Sequence, residues 1–291
     1  MLNVFFLTEM AILALFVLIA LYIWRYDKKS ILFFAGAVIY AALFENLNIL
    51  ISRDTIGGYF YNPTFKFFVF HTPLFIILSW AIILYSTKII TEATRVKQFS
   101  MPFLAALLAL IVDFGLDTTA IRLKFWFWQG YALNEGYFGV PANNFLGWLI
   151  IAFSFYLIYL ILDKKAPRQK KLLLITLPLA AYLLFLLIFS QINALETFFN
   201  LNKSTEFYLL FSVIMLFIFS IKRNRANKIT TLAYGRAIAF FSRLIFHLFG
   251  IIGVLAYQFY QENILLLAFP IIFLLLEFSP HFLLKKIQQK T

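Results

Sequence analysis

Long runs of apolar residues, separated by short polar gaps, repeat along the whole chain. A helix needs about 20 such residues to cross a bilayer. Runs of roughly that length predict helices at 3–24, 31–51, 67–91, 101–123, 144–162, 172–190, 207–221, 237–259 and 264–284. The pattern predicts an all-α fold, a polytopic transmembrane bundle of about nine helices with a range of about 8–10. The run at 207–221 is short and is the weakest of these predictions.

Composition supports the membrane interpretation. Apolar residues make up 63% of the 291 residues, against about 45–50% in soluble domains. There are no cysteines, which excludes disulfides and thiol chemistry. The net charge of +12 comes from basic residues in the short gaps between apolar runs, a pattern typical of membrane orientation. We therefore expect the lipid bilayer as a partner and no nucleic acid.

The basic residues also predict an orientation. Most of them fall in alternate gaps, at 25–29, 95–97, 164–171 and 222–236, and in the tail from 285. The positive-inside rule then places the N-terminus outside and the C-terminus in the cytoplasm, in a multi-pass protein of the cell membrane. We expect one polytopic domain over 1–291, divided at the linker-like stretch 163–171 into a polar-rich half, 1–165, and a plainer half, 166–291.

Asp113 and Asp117 lie four residues apart in one of the apolar runs. That spacing places them on one face of a helix, about 5–6 Å apart. An ionised group at this depth costs on the order of 3 kcal/mol, and two acids side by side repel unless one is protonated. One acid could then donate a proton while the other acts as a base. The simpler alternative is a structural polar knot bonded to a neighbouring helix.

Three other polar residues are expected at a similar depth. Glu45 lies in the second helix, and His71 lies near the start of the third, where it could simply cap the helix or lie at the membrane surface. Arg122 either pairs with Asp117 or Glu45, or lies at the membrane interface with its charged end in water.

Four further ionisable residues are expected to have other roles. Glu9 is expected near the lipid headgroups. Arg243 and His247 are one turn apart and are expected to serve the membrane interface. Glu277 is either part of a separate structural pair or unrelated to the acids.

The loop from Lys124 to Asn143 is rich in aromatic residues, including Trp126, Trp128 and Phe138. Such residues form belts at membrane surfaces, but the sequence from Gly136 to Pro141 predicts a tight, ordered turn. An aromatic lid over the acids would suit a long apolar substrate. It would also suit a cationic intermediate, since desolvated aromatic faces stabilise cations by up to about 2 kcal/mol.

These residues together resemble a known family. The run Asp113-x-x-x-Asp117, Arg122, Trp126-x-Trp128 and Gly136-Tyr-Phe-Gly-Val-Pro-x-Asn-Asn-Phe-x-Gly-Trp148 is similar to integral-membrane carotenoid biosynthesis proteins of the CruF type. Those are carotenoid 1,2-hydratases, including bisanhydrobacterioruberin hydratases. The resemblance is specific over 113–148, extends weakly back through Pro73, Leu74, Trp80 and Ala81 and the Glu45 region, and ends by about 165.

The resemblance implies that water is added across a terminal C=C bond of an acyclic carotenoid or related isoprenoid, without a cofactor or metal. Asp113 or Asp117 would be the proton donor, and the other, or Glu45, the base. Asn143 or Asn144 would position the water, and Trp126, Trp128 and Phe138 would shield the cation. Arg122 would keep one carboxylate charged, and His71 would lie beside the substrate.

Two alternatives remain open at this point. In a proton-coupled transporter or flippase, the same acids would form a proton relay. An isoprenoid cyclase or isomerase would use the same protonation, but the cation would then lose a proton.

Overall fold

The structure is a computed structural model that describes residues 3–94, 96–163, 167–222 and 233–288. In 167–175, 233–236 and 278–288 it describes the backbone alone. Several basic segments lie outside these residues or outside the described side chains. They are Arg95, most of the linker-like stretch 163–171, and much of the gap 222–236 and of the basic tail. The inside–outside orientation therefore stays a prediction.

The described residues form nine α-helices and four short strands. The helices are α1 (Val4–Tyr26), α2 (Ile31–Ser52), α3 (Leu74–Ala93), α4 (Met101–Arg122), α5 (Ala142–Asp163), α6 (Pro167–Phe198), α7 (Glu206–Ser220), α8 (Ala233–Ala256) and α9 (Leu265–Gln288). Seven of them, α1 to α6 and α8, contain stretches long and apolar enough to cross a membrane. In α7 and α9 the apolar stretches are shorter. The predicted all-α polytopic bundle is confirmed.

The third helix begins later than the sequence predicts, at Leu74 instead of residue 67. The preceding residues form a small antiparallel pair, β2 (Phe68–Val69) with β3 (Thr72–Pro73). Pro73 explains the difference, because the residue before a proline is disfavoured in helical conformation. The sixth helix differs in the other direction: it continues to Phe198, beyond the predicted end at 190.

Two interhelical connections pair with each other as a second small antiparallel sheet. Strand β1 (Tyr59–Tyr61), between α2 and α3, pairs with β4 (Trp126–Trp128), between α4 and α5. Tyr59 lies opposite Trp128, and Tyr61 opposite Trp126. Side chains alternate between the faces of a strand, so these four aromatic residues share one face. We call this pair of strands the β1/β4 sheet.

Helix α4 lies at the centre of the bundle and contacts α3, α5, α7, α8 and α9. It approaches α8 closely at one point, where Gly115 and Gly250 face each other. The hydroxyl of Thr119 donates to the carbonyl of Gly250 at 3.1 Å. Small residues of this kind let helix backbones approach closely in membrane proteins. Helix α4 is thus fixed from several sides, and this determines where its two acids lie.

Candidate functional site

Asp113 and Asp117 lie one turn apart on α4 and are almost fully buried, at 1% and 2% exposure. One amide nitrogen, Nδ2 of Asn144 at the start of α5, donates to Oδ2 of Asp113 at 2.9 Å and to Oδ2 of Asp117 at 2.8 Å. The two acids therefore meet at a single donor group. Oδ1 of Asp113 has no hydrogen-bond partner among the described residues. Two negative charges this close together repel, so the arrangement favours a pair that holds one proton.

Glu45 on α2 is also buried but has a richer set of donors. Its Oε2 accepts hydrogen bonds from the hydroxyls of Tyr59 at 2.7 Å and Tyr61 at 2.8 Å. Its Oε1 accepts from the indole N–H of Trp80 at 2.6 Å. Hydrogen bonds to a carboxylate favour its charged form. The three donors to Glu45 therefore oppose the cost of burying its charge and keep its oxygens as acceptors.

The two tyrosines come from the β1/β4 sheet. Burial, together with the Glu45 carboxylate beside them, raises the pKa of Tyr59 and of Tyr61 well above the usual value. Both hydroxyls thus stay protonated at neutral pH and remain donors to Glu45. The neighbouring Asp117 also raises the pKa of Tyr61, which places the glutamate group and the aspartate pair in one electrostatic cluster.

Glu45 and Asp117 both line one cavity of about 820 Å³. This volume is within the range of small-molecule sites. Most of the lining is apolar or aromatic, with residues from α1, α2, α3, α4, α5, α6 and α8 and from the β1/β4 sheet. Asp113 lies off the cavity wall and reaches it through the amide of Asn144 that it shares with Asp117. A largely apolar cavity with a few convergent carboxyls suits a lipophilic substrate.

Aromatic rings surround the acids. The rings of Trp80 and Trp148 lie 4.0 Å apart, and both line the cavity. Trp126 is a hydrogen-bonding neighbour of Asp117. The ring of Trp128 packs against Tyr59 at 5.2 Å. The cavity therefore presents π faces next to its carboxyl groups.

A second polar group lies on the α6 side of the cavity. Nδ2 of Asn143 donates to Oε2 of Glu196 at 3.2 Å, and both residues line the cavity. Further polar residues in the lining on this side are Asn48, Ser52, Thr55, Ser190, Asn193 and Thr197. The cavity thus has polar groups on two parts of its wall.

The structure brings together six of the ten predicted site residues in the cavity lining: Glu45, Asp117, Trp126, Trp128, Asn143 and Asn144. Asp113 joins them through Asn144, and the other three lie elsewhere. The predicted pairing of Arg122 with Asp117 or Glu45 is wrong. Its Nε donates to Glu262 at 2.8 Å and its Nη1 to the carbonyl of Phe138 at 2.9 Å, so this side chain fixes the loop after α4 instead.

Phe138 and His71 also lie away from the cavity. Phe138 has a left-handed backbone, with φ of 51°, and its ring packs on Tyr137 and Phe269. His71 has an exposed side chain, and its backbone N–H donates to Oδ1 of Asn46. Neither side chain lines the cavity that Glu45 and Asp117 share.

Four other ionisable residues are more buried than the sequence predicts. Glu9 is buried, and its carboxylate accepts backbone N–H bonds from Lys66 and Phe67 at 2.9 and 3.0 Å; its depth relative to the headgroups stays a prediction. Arg243 and His247 are fully buried instead of serving the interface. Arg243 forms an ion pair with Glu277, which confirms the structural-pair alternative for that glutamate.

Sequence reasoning missed Tyr59, Tyr61 and Glu196. The alternation in Tyr59-Phe60-Tyr61, directly after Gly57 and Gly58, is a strand signal that would have placed both tyrosines on one face. Nothing in the sequence shows which carboxylate they would reach, because that contact depends on the pairing of two separate loops. Glu196 was missed because it lies beyond the predicted end of its helix.

Comparison with known proteins identifies a family to which this chain is similar. A family model described as carotenoid biosynthesis protein matches residues 4–211, which is more than half of the 291 residues. The match includes the acids on α4, Glu45, the β1/β4 sheet and Glu196. Searches of curated proteins and of solved structures found no match.

Proposed function

We propose, from the premise that the chain belongs to the carotenoid biosynthesis protein family, that it hydrates a terminal C=C bond of an acyclic carotenoid or a related isoprenoid. Family membership supports a role as an enzyme of carotenoid modification. The seven candidate spans fit a multi-pass membrane protein with a lipophilic substrate. The hydration step, the substrate and the roles of the residues are our proposal.

One observation carries the proposal: the Asp113–Asn144–Asp117 arrangement and Glu45, a carboxyl group with three hydrogen-bond donors, meet at one apolar cavity. Hydration of an alkene needs an acid that gives a proton to carbon and a base that takes a proton from water. A carboxyl pair that shares one proton supplies the acid. A carboxylate with three hydrogen-bond donors supplies the base. Both kinds of group therefore reach the same space.

Hydration then proceeds through two proton transfers and the addition of one water molecule. Asp117, which lines the cavity, gives its proton to the less substituted carbon of the terminal double bond and becomes a carboxylate. The other carbon becomes a tertiary cation. The oxygen of a water molecule bonds to that carbon, and the proton released by the water goes to Glu45. The product is a tertiary alcohol, and the proton on Glu45 returns to the aspartate pair before the next cycle.

The walls of the cavity support the cation. The faces of Trp126, Trp128, Trp80 and Trp148 are available to a positive carbon, and such contacts contribute up to about 2 kcal/mol each when water is excluded. The carboxylates add a favourable charge interaction in a medium of low dielectric constant. Asn144 keeps the proton donor in position throughout, because it holds both aspartates.

The test is product analysis in a host that accumulates lycopene. We expect the chain to give a pigment heavier by one water, and Asp117→Asn to abolish it. Asp54→Asn is the matched control, since Asp54 lies in an exposed ion pair with Arg53 outside the cavity lining. It should retain full conversion.

The outcomes separate the proposal from its alternatives. An isomer of unchanged mass, lost with Asp117→Asn, would indicate a cyclase or isomerase on the same scaffold. Full hydration by Asp113→Asn and Asp117→Asn alike would show that the aspartate pair is not the acid. Unchanged pigment from a folded, membrane-inserted protein would favour a different isoprenoid substrate or a transporter, and proton-flux assays would then decide between them.

A further inference from the structure

The second polar group of the cavity, around Asn143 and Glu196, has no place in the steps above. Its members lie on α5 and α6, near the end of the bundle that carries the β1/β4 sheet. An apolar substrate does not need this group. Polar side chains on a cavity wall are costly in a membrane protein unless they bind something polar.

Several atoms of this group lack a partner within the protein. Oδ1 of Asn143 and Oε1 of Glu196 are buried and form no hydrogen bond with any described residue. The same holds for the indole Nε1 of Trp128 and for Oγ of Ser52. All four residues line the one cavity. Acceptor oxygens and a donor N–H in one cavity are the combination that holds water, which needs about two to four polar partners.

The group is connected in both directions. Towards the acids, Asn143 is the neighbour in sequence of Asn144, which holds Asp113 and Asp117. Towards the surface, Glu206 at the start of α7 accepts a hydrogen bond from the hydroxyl of Tyr131 at 3.2 Å.

The surface end of this connection is partly exposed. The ring of Tyr131 lies below the ammonium of Lys203 at 4.7 Å. Lys203 in turn pairs with Glu135 at 2.8 Å, and the two side chains are 34% and 39% exposed. Polar side chains thus lie both at the partly exposed surface and beside the aspartate pair, on the same side of the bundle as Glu196.

We propose that Asn143 and Glu196 form a water-binding site that delivers the nucleophile to the cation, and that this site decides whether the product is an alcohol or an alkene. The inference rests on the proposed function. With water at the site, its oxygen bonds to the cation and its proton goes to Glu45. Without it, Glu45 removes a proton from a carbon next to the cation, and an alkene of the starting composition is restored.

The two outcomes can be counted in one assay. Membranes containing the protein are incubated with an acyclic carotenoid in D2O, and the pigments are analysed by mass spectrometry. The alcohol carries oxygen from the solvent. The alkene that results from protonation followed by proton loss keeps its composition but carries deuterium. The ratio of deuterated alkene to alcohol measures the partition of the cation, independently of how much protein is present.

We expect Glu196→Leu to raise this ratio by roughly tenfold, the effect of losing one hydrogen bond to a charged group. Asn143→Leu approaches the same site from α5 and should shift the ratio in the same direction. Glu196→Gln keeps an acceptor oxygen and should lie closer to the unmodified protein. Gln191→Leu is the matched control, because Gln191 is an exposed residue of α6 outside the cavity lining, and it should leave the ratio unchanged.

The failure of this inference differs from the failure of the proposed function. If the unmodified protein makes alcohol, but neither Glu196→Leu nor Asn143→Leu raises the alkene share, the water site is wrong and the hydratase stands. If both variants lower alcohol and deuterated alkene equally, the two residues act in structure or substrate binding, and the inference is also wrong. If the unmodified protein gives neither alcohol nor deuterium, the proposed function itself fails.

Discussion

Glu45 and Asp117 line the same cavity, but Glu45 and the aspartate pair have different sets of hydrogen-bond donors. Glu45 has three donors of its own, from Tyr59, Tyr61 and Trp80. The two aspartates share one amide group, on Asn144, and Asp117 has Trp126 as a further hydrogen-bonding neighbour. At the scale of single residues, this difference is the basis for assigning the base to one helix and the acid to another.

Removing one donor from Glu45 tests that assignment. Tyr61→Phe deletes the hydroxyl at 2.8 Å and keeps the ring. A hydrogen bond to a charged group is worth about 1.5–3 kcal/mol, so we expect the initial rate of product formation to fall at least about tenfold. Tyr257→Phe is the matched control, because that ring is exposed and lies outside the cavity lining. Equal rates for both variants would contradict a role of Tyr61 in holding the base.

The sequence predicts some of these residues well and others poorly, for a physical reason. The spacing of Asp113 and Asp117 is local, and a helix turns that spacing directly into proximity. For the asparagine that joins them, the sequence predicts Asn143 or Asn144 and does not distinguish the two. Arg122 could not be placed, because its partner Glu262 lies 140 residues further along the chain. Contacts between distant parts of a chain depend on packing that local patterns do not encode.

At the scale of helices and strands, the contact between α4 and α8 determines how exactly the acids are placed. Gly115 lies between the two aspartates on α4 and faces Gly250 on α8. A Cβ atom at Gly250 would overlap the carbonyl oxygen of Gly115. The bundle therefore has no room for a side chain at this point.

A side chain at Gly250 would affect the stability of the folded protein in two opposite ways. In a helix, Gly→Ala normally stabilises by up to about 1 kcal/mol. Overpacking of a close contact costs about 1–3 kcal/mol, and we expect this effect to prevail in Gly250→Ala. The measurement is the thermal unfolding of the purified protein in detergent. Gly147→Ala is the control for stability, since a Cβ there has no neighbour within 4 Å. A rise in the unfolding temperature of Gly250→Ala would contradict the close contact between α4 and α8.

The helices were predictable and the sheet was not. A helix in a membrane is a continuous apolar run of sufficient length, so eight of the predicted positions agree with the structure to within a few residues at their starts. The exception is α3, whose predicted start includes residues of a β pair ahead of Pro73. The β1/β4 sheet joins two short segments 65 residues apart or more, and each is too brief to predict its partner.

For the molecule as a whole, the late helices α8 and α9 are tied to the early ones by a buried ion pair. Arg243 on α8 donates to both oxygens of Glu277 on α9. The same guanidinium donates to the carbonyl of Leu108 on α4 and to Ser86 on α3. The helices beyond residue 211, where the family match ends, are thus connected to the helix that carries the acids.

Removing one partner of this ion pair should destabilise the protein more than removing both partners. Glu277→Leu leaves a buried, uncompensated guanidinium, and we expect a loss of about 3–5 kcal/mol in the free energy of unfolding. Arg243→Met combined with Glu277→Leu removes both charges and should recover most of that loss. Unfolding of the single and double variants in detergent measures the coupling. A double variant as unstable as the single one would mean that Arg243 stabilises mainly through Leu108 and Ser86.

The β1/β4 sheet has two roles at the cavity. It supplies two of the three donors to Glu45, and it also forms part of the cavity wall. Any movement that lifts this sheet away from α2 would open the cavity and, in the same event, strip the carboxylate of both phenol groups. Such a movement would therefore change access to the cavity and the hydrogen bonding of Glu45 together.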